Sequence, residues 1–183
     1  ISKEMLKVPS NCFYNSCSLK QVLFENPSLI TSIGNYAFYN CLSLTQIILP
    51  SSLTSIGDYA FYKCSLLTNI DIPSSLTSIG ENAFNECSSL IQITIPSSVI
   101  SIYKLAFHSC TSLKKVTFES PSSLQTIKYF MFNMCTSLEE ITIPSSVTII
   151  ESYAFENCKS LKKITIPSSV KLIGHKAFNE CSS

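Results

Sequence analysis

Apolar and polar residues alternate along this chain in short bursts, and the bursts recur. In residues 90–96, Leu-Ile-Gln-Ile-Thr-Ile-Pro, the apolar Ile93 and Ile95 are interleaved with Gln92 and Thr94. A period of two among β-branched residues predicts a half-buried strand, and the proline that closes it cannot extend a ladder. The stretch between one burst and the next carries Leu76, Ile79, Ala83, Phe84 and Cys87 at spacings of three and four. Such spacings fit a short turn-rich or helical return. Leu-Thr-Ser-Ile within it also fits a second small strand, and the pattern leaves both open.

The bursts keep a beat. Pro27, Pro50, Pro73, Pro96, Pro121, Pro144 and Pro167 recur every 23 residues, except for a 25-residue step from Pro96 to Pro121. Cys17, Cys41, Cys64, Cys87, Cys110, Cys135, Cys158 and Cys181 follow the same rhythm, giving eight cysteine-centred copies of Ile-Pro-Ser-Ser-Leu-x-x-Ile-Gly-x-x-Ala-Phe-x-x-Cys-x-Ser-Leu-x-x-Ile. A repeat this short cannot bury its own apolar face, so the copies must stack and share a core. Stacking sets each strand about 4.8 Å from its neighbour in a parallel sheet. No linker interrupts the array, which predicts one solenoid domain over residues 1–183, with 1–26 a divergent first coil and 27–183 regular repeats. The first residue is not Met and the last copy stops at Asn-Glu-Cys-Ser-Ser. The chain is therefore expected to be a piece of a longer protein.

The copies Leu-Pro-Ser-Ser-Leu-Thr-Ser-Ile-Gly-Asp-Tyr-Ala-Phe-Tyr-Lys-Cys, residues 49–64, and Ile-Pro-Ser-Ser-Val-Thr-Ile-Ile-Glu-Ser-Tyr-Ala-Phe-Glu-Asn-Cys, residues 143–158, resemble the BspA-like (Treponema pallidum-type) leucine-rich repeats. The resemblance runs from about residue 29 to the end and is weak over residues 6–24. It implies an α/β-type repeat solenoid: a right-handed leucine-rich-repeat superhelix with a parallel concave sheet and about eight coils. The Ser/Asn/Lys/Ile-rich wording is similar to protist surface proteins of the Trichomonas and Entamoeba kind. The family implies a cell-surface or secreted adhesin that binds proteins or glycans of host matrix or cell surface. A structural or intracellular scaffold without a dedicated ligand is the alternative. Residues 9–24 depart from the pattern, with an extra Cys12 and an irregular step after Cys17.

The repeated positions read as packing. Each ladder cysteine is expected to be a small buried hydrophobe. Parallel stacked side chains hold Cβ atoms near 5 Å apart, wider than the roughly 3.8 Å of a disulfide. Metal binding lacks any Cys-x-x-Cys, and the two histidines, His108 and His175, lie in different copies. Disulfide and metal readings are thus weaker. Cys12, outside the ladder, is expected to be exposed or paired with Cys17. Phe38, Phe61, Phe84, Phe107, Phe132, Phe155 and Phe178 form an expected spine, with Met131 in the place of the usual alanine. Gly34, Gly57, Gly80 and Gly174 share a register with Tyr103, Lys128 and Glu151, so that turn is expected merely to tolerate glycine.

Composition removes several function classes. With 13 Lys and Arg against 12 Asp and Glu, net charge is +1, and no basic, aromatic-interleaved footprint for nucleic acid exists. No apolar run approaches the ~18 residues of a membrane span, so this segment is expected not to insert. No serine has an evident histidine and acid beside it, so the chain is expected not to be an enzyme and to need no cofactor or metal. Information should therefore lie where the copies differ. The solvent-facing strand positions are Gln46, Asn69, Gln92, Lys115, Glu140 and Lys163, then Ile48, Asp71, Thr94, Thr117, Thr142 and Thr165. Gln46, Asn69, Asp71, Gln92, Lys115, Glu140 and Lys163 are the candidate ligand-binding residues of the concave face. The alternating Lys115, Glu140 and Lys163 have two readings: cross-strand neutralisation, which is favoured, and a ligand patch. Uncapped ends are a further expected site of self-association.

Overall fold

The structure is a computed structural model that describes residues 1 and 4–182. The chain winds as a β-solenoid whose coils stack in parallel along two faces. The short-strand ladder comes from the Thr-Ser-Ile segment. Its rungs are β1 (Lys7–Val8), β3 (Ser32–Ile33), β5 (Ser55–Ile56), β6 (Ser78–Ile79) and β8 (Ser101–Ile102), then β10 (Thr126–Ile127), β12 (Ile149–Ile150) and β14 (Leu172–Ile173). The long-strand ladder pairs β2 (Gln21–Val22) with β4 (Gln46–Ile47) and, separately, aligns β7 (Gln92–Ile95), β9 (Lys115–Phe118), β11 (Glu140–Thr142) and β13 (Lys163–Thr165).

The open question about the return path is thereby answered. Leu-Thr-Ser-Ile is extended and pairs with its counterpart, as in Ser55↔Ser78 and Ile56↔Ile79. The Ala-Phe-x-x-Cys stretch is a run of turns, and no helix occurs among the described residues. Two residues per turn run sit in the left-handed region, such as Asn82 (φ 55°) and Glu86 (φ 59°), or Leu105 (φ 61°) and Ser109 (φ 56°). Alternating the backbone in this way aims successive N–H groups at the next coil: Tyr59 N donates to Glu81 O and Phe61 N to Ala83 O, both at 2.8 Å. The turns are therefore stitched coil to coil as firmly as the strands.

One contiguous core fills the tube. The regular coils place a Leu, an Ile or Val, a Phe and a Cys inward, and Phe84, Cys87, Leu90, Leu76 and Ile79 are all fully buried. The phenylalanine rings stack face to face, with centroid steps of 5.1–5.5 Å from Phe13 through Phe178. The expected spine is present and begins one coil earlier than the sequence pattern suggested, at Phe13. In the last coil the pattern opens, and Ile173 is 48% exposed where Ile79 is buried.

Two expectations need correction. Cys17 does not belong to the cysteine ladder. Ser16 N donates to Phe13 O at 3.0 Å and Leu19 N to Ser16 O at 3.0 Å, the bonds that Cys41 makes with Phe38 and Leu44. Ser16 thus occupies the cysteine register, because the first coil's Phe-to-Cys interval is one residue longer, and Cys17 and Cys12 are both exposed with free thiols. The glycine turn also does more than tolerate glycine. A Cβ at Gly80 would lie 2.6 Å from Asp58 N, and one at Gly34 would lie 2.8 Å from the Pro9 carbonyl carbon. Neither glycine has positive φ; what requires them is backbone packed directly on backbone between coils.

Candidate functional site

The long-strand ladder decides where the variable side chains go. Because successive residues of a strand face opposite sides, burying Ile93, Val116 and Ile141 forces their neighbours outward. Register then sets those neighbours side by side: Gln92↔Lys115, Lys115↔Glu140 and Glu140↔Lys163 form one row. Thr94↔Thr117 and Thr142↔Thr165 form the row beside it. Lys115, Glu140 and Lys163, with Thr117, Thr142 and Thr165, line a groove of about 670 Å³.

The groove owes one wall to the 25-residue coil. There β9 runs on to Phe118, and Glu119 N continues the ladder to Ile95 O at 2.9 Å before the cis Ser120–Pro121 bond turns the chain. Phe118, half-buried and in register with Ile95, and Glu119 join the lining of the groove.

Its electrostatics are those of charges held close but not joined. Among the described residues, ion pairs within 4 Å link Lys63 to Glu86, Lys104 to Glu81 and Lys128 to Glu151. None links Lys115, Glu140 and Lys163, and all three side chains are exposed. Register proximity has not become direct neutralisation, so the ammonium–carboxylate–ammonium row is presented to solvent. Hydroxyls of the threonine row can donate or accept alongside it.

The remaining candidate residues lie elsewhere. Gln46 is in the same row but at the other end, where its Oε1 accepts a bond from Gln21 Nε2 at 3.0 Å. Asn69 and Asp71 flank the buried Ile70 in a segment without strand pairing, which separates β4 from β7. Gln92 opens β7 and lies outside the groove lining. The seven candidates thus split into the amides Gln46, Asn69 and Gln92 with the single carboxylate Asp71 outside the groove, and the charged Lys115, Glu140 and Lys163 within it. The sequence pattern missed Gln21, which precedes the regular copies, Phe118, and Glu119, whose N–H extends the ladder to Ile95 O in the longer coil.

On the opposite side, the position after each core phenylalanine forms its own ladder. His108 Nδ1 lies 3.1 Å from Asn85 Oδ1, and Glu156 accepts bonds from Asn133 Nδ2 at 3.0 Å and Asn179 Nδ2 at 3.1 Å. Burial lowers the His108 pKa, partly opposed by the nearby Glu86 carboxylate. His108 is thereby committed to an amide, with no serine as its partner.

Comparison with known proteins agrees with this geometry. The family description "BspA type leucine rich repeat region" matches in six copies over residues 6–122 and 117–183. A leucine-rich repeat protein from Bacteroides ovatus is similar at 33% identity and a TM-score of 0.88, over 94% of this chain and 44% of that one. The T. pallidum leucine-rich repeat protein shares 33% identity with a TM-score of 0.80, over 86% of this chain and 72% of its own. The pneumococcal vaccine antigen PcpA, at 21% identity and a TM-score of 0.64, covers all of this chain with 66% of its own and shares the fold. A search of curated proteins gives no match. The chain spans less than half the length of the B. ovatus protein. With its coil period, its two parallel ladders and its phenylalanine–cysteine core, this chain belongs to the BspA-type leucine-rich repeat family.

Proposed function

We propose that this chain is a non-enzymatic binding domain of a cell-surface or secreted protein, and that its long-strand face takes a protein partner. One observation carries the reading: Lys115, Glu140 and Lys163 line a groove in one row without pairing to each other. A row whose charges served only stability would be expected to close its ion pairs, as Lys128 and Glu151 do at 3.0 Å. Unpaired, it can exchange its hydration for complementary charges on a partner, which favours orientation and association rate over raw affinity. The leucine-rich repeat fold supports a protein as that partner. A glycan ligand is the competing outcome. The test is a binding screen of the domain against arrays of matrix proteins, cell-surface proteins and glycans. A protein hit that Lys115→Glu with Lys163→Glu abolishes supports the reading. Hits indifferent to these reversals and to Glu140→Lys, hits confined to glycans, or no hit at all would overturn it.

A further inference from the structure

The charges on the long-strand face come in blocks. Lys114 with Lys115, Glu139 with Glu140 and Lys162 with Lys163 stand in successive coils, so the sign reverses from each coil to the next. Register aligns both members of each block: Lys115↔Glu140 and Glu140↔Lys163 are strand partners, and Lys162 N donates to Glu139 O at 2.9 Å. All six residues are exposed. The ion pairs among the described residues join Lys63, Lys104 and Lys128 to other glutamates, and none of the six takes part. The architecture does not demand charge here. The same two positions hold Thr45 with Gln46, Thr68 with Asn69 and Ile91 with Gln92 in the preceding coils.

Alternation narrows the partner. A surface of one sign would meet like and unlike charges in turn, one coil step of about 4.8 Å apart, and gain little. The face needs a partner whose own charge reverses from band to band. A second copy of this chain has that property, and two-fold symmetry decides how it must sit. An axis running along the stack lays lysine on lysine. An axis parallel to the strands, between β9 and β11, inverts the coil order of the second copy instead. Lys114 and Lys115 of one copy then face Glu139 and Glu140 of the other, and the reverse, while Lys163 faces the Gln92 amide. The four continuous strands β7, β9, β11 and β13 supply the contact, and the groove lies within it. An interface of that extent belongs to the small, transient class, so the dimer is weak and exchanges rapidly.

We propose that the long-strand faces of two copies pair about this axis, so that the protein partner of the charged groove is a second copy of the same chain. The proposal rests on the reading of that face as a binding surface and adds its occupant. Sedimentation velocity of the intact domain, from about 10 μM to about 1 mM, should show a reversible monomer–dimer equilibrium. The equilibrium should weaken about tenfold or more when salt is raised to about 0.5 M. Lys114→Glu with Lys115→Glu should leave monomer alone, and so should Glu139→Lys with Glu140→Lys. Mixing these two variants one to one should restore the dimer as a heterodimer, because acidic blocks of one then meet basic blocks of the other. Such rescue also shows that both variants are folded. A monomer throughout, self-association that survives either reversal, or a mixture no more associated than its parts would overturn the proposal. Charge-dependent binding of a foreign protein by a strictly monomeric domain would overturn the dimer and leave the wider reading of the face standing.

Discussion

The thiol of Cys87 donates a hydrogen bond to the carbonyl oxygen of Phe61 in the preceding coil, across 3.1 Å. Cys64 binds Phe38 O, Cys110 binds Phe84 O and Cys135 binds Phe107 O in the same way, at 3.2–3.3 Å. Each of these carbonyls belongs to a spine phenylalanine and is also reached by the amide of its own coil's cysteine, as Phe61 O is by Cys64 N at 3.1 Å. The cysteine repeats because two things repeat together: a hole for a small apolar atom and a carbonyl with a spare lone pair. Alanine would fill the hole poorly and donate nothing.

Burial drives the ladder thiols away from their reactive form. The Cys41 thiol is pushed up to about 11 and that of Cys135 to about 12, while Cys64, Cys87 and Cys110 are raised well above the ordinary value, all chiefly by desolvation. Thiolate is the nucleophile, so these residues should be inert in the native protein. Maleimide labelling read by mass spectrometry should modify Cys12 and Cys17 quickly, and the six buried cysteines from Cys41 to Cys158 only in denaturant. Rapid native labelling of Cys87 would contradict its placement.

Phe84 lies between Phe61 and Phe107, with centroids 5.3 and 5.4 Å away. Phe84→Ala would open a cavity in the middle of the tube that neither coil can collapse into, since both are tied by turn hydrogen bonds. A loss of about 3–5 kcal/mol is expected, measurable by denaturant unfolding. Because coils contact only their neighbours, the loss should split unfolding into two parts or shorten the cooperative unit.

How much of this could be read from the residues follows from what each feature depends on. The coil, its strand and the phenylalanine–cysteine core were legible because identical side chains recur at a fixed interval, and identical neighbours must share an environment. Ser16 was hidden because its register depends on the turn conformation, while Cys17 one residue later offered a more conspicuous match. The left-handed residues were hidden too. Asn82, Glu86, Leu105 and Ser109 give no glycine signal at positive φ. The glycines mark a different constraint, the closeness of adjacent backbones. As for the charged row, its residues could be named in advance, but whether they paired depended on side-chain geometry that spacing does not specify.

That backbone closeness is testable at Gly80. An added methyl would meet Asp58 N at 2.6 Å, and main chain cannot yield as a flexible side chain can. Gly80→Ala should therefore destabilise by about 1–3 kcal/mol, the cost of overpacking, although alanine is usually the easier residue to order. Thermal unfolding of the variant beside Ser78→Ala, a half-buried position of the same strand, separates this contact from a general strand effect.

His108 makes stability depend on pH. Its pKa is lowered from 6.5 by burial, and the groups around it are the Asn85 and Asn133 amides and the Glu86 carboxylate. A lowered folded-state pKa means that the unfolded chain binds the proton more readily. The contribution is fully present above about pH 6.5 and is lost as pH falls toward the folded value. Chemical denaturation at pH 7.5 and 5.0 should show a loss at the lower pH that His108→Gln reduces. An unchanged difference in that variant would assign the pH dependence to other groups.

The two readings of the charged row predict different energetics. If Lys115, Glu140 and Lys163 served as a stabilising ladder, Glu140→Ala would cost roughly what a formed cross-strand pair is worth. The geometry predicts otherwise: no ion pair closes in that row, so Glu140→Ala should change unfolding free energy by less than about 0.5 kcal/mol. Glu151 supplies the contrast. Its carboxylate holds Lys128 at 3.0 Å and accepts the Tyr129 N–H at 2.8 Å. Glu151→Ala removes both a pair and a backbone acceptor, and should cost on the order of 1 kcal/mol. Measuring the two variants by urea unfolding at low and moderate salt decides between the readings. Equal losses would return the row to a structural role. A silent Glu140 beside a costly Glu151 would leave its charge with no internal task, as a site for binding requires.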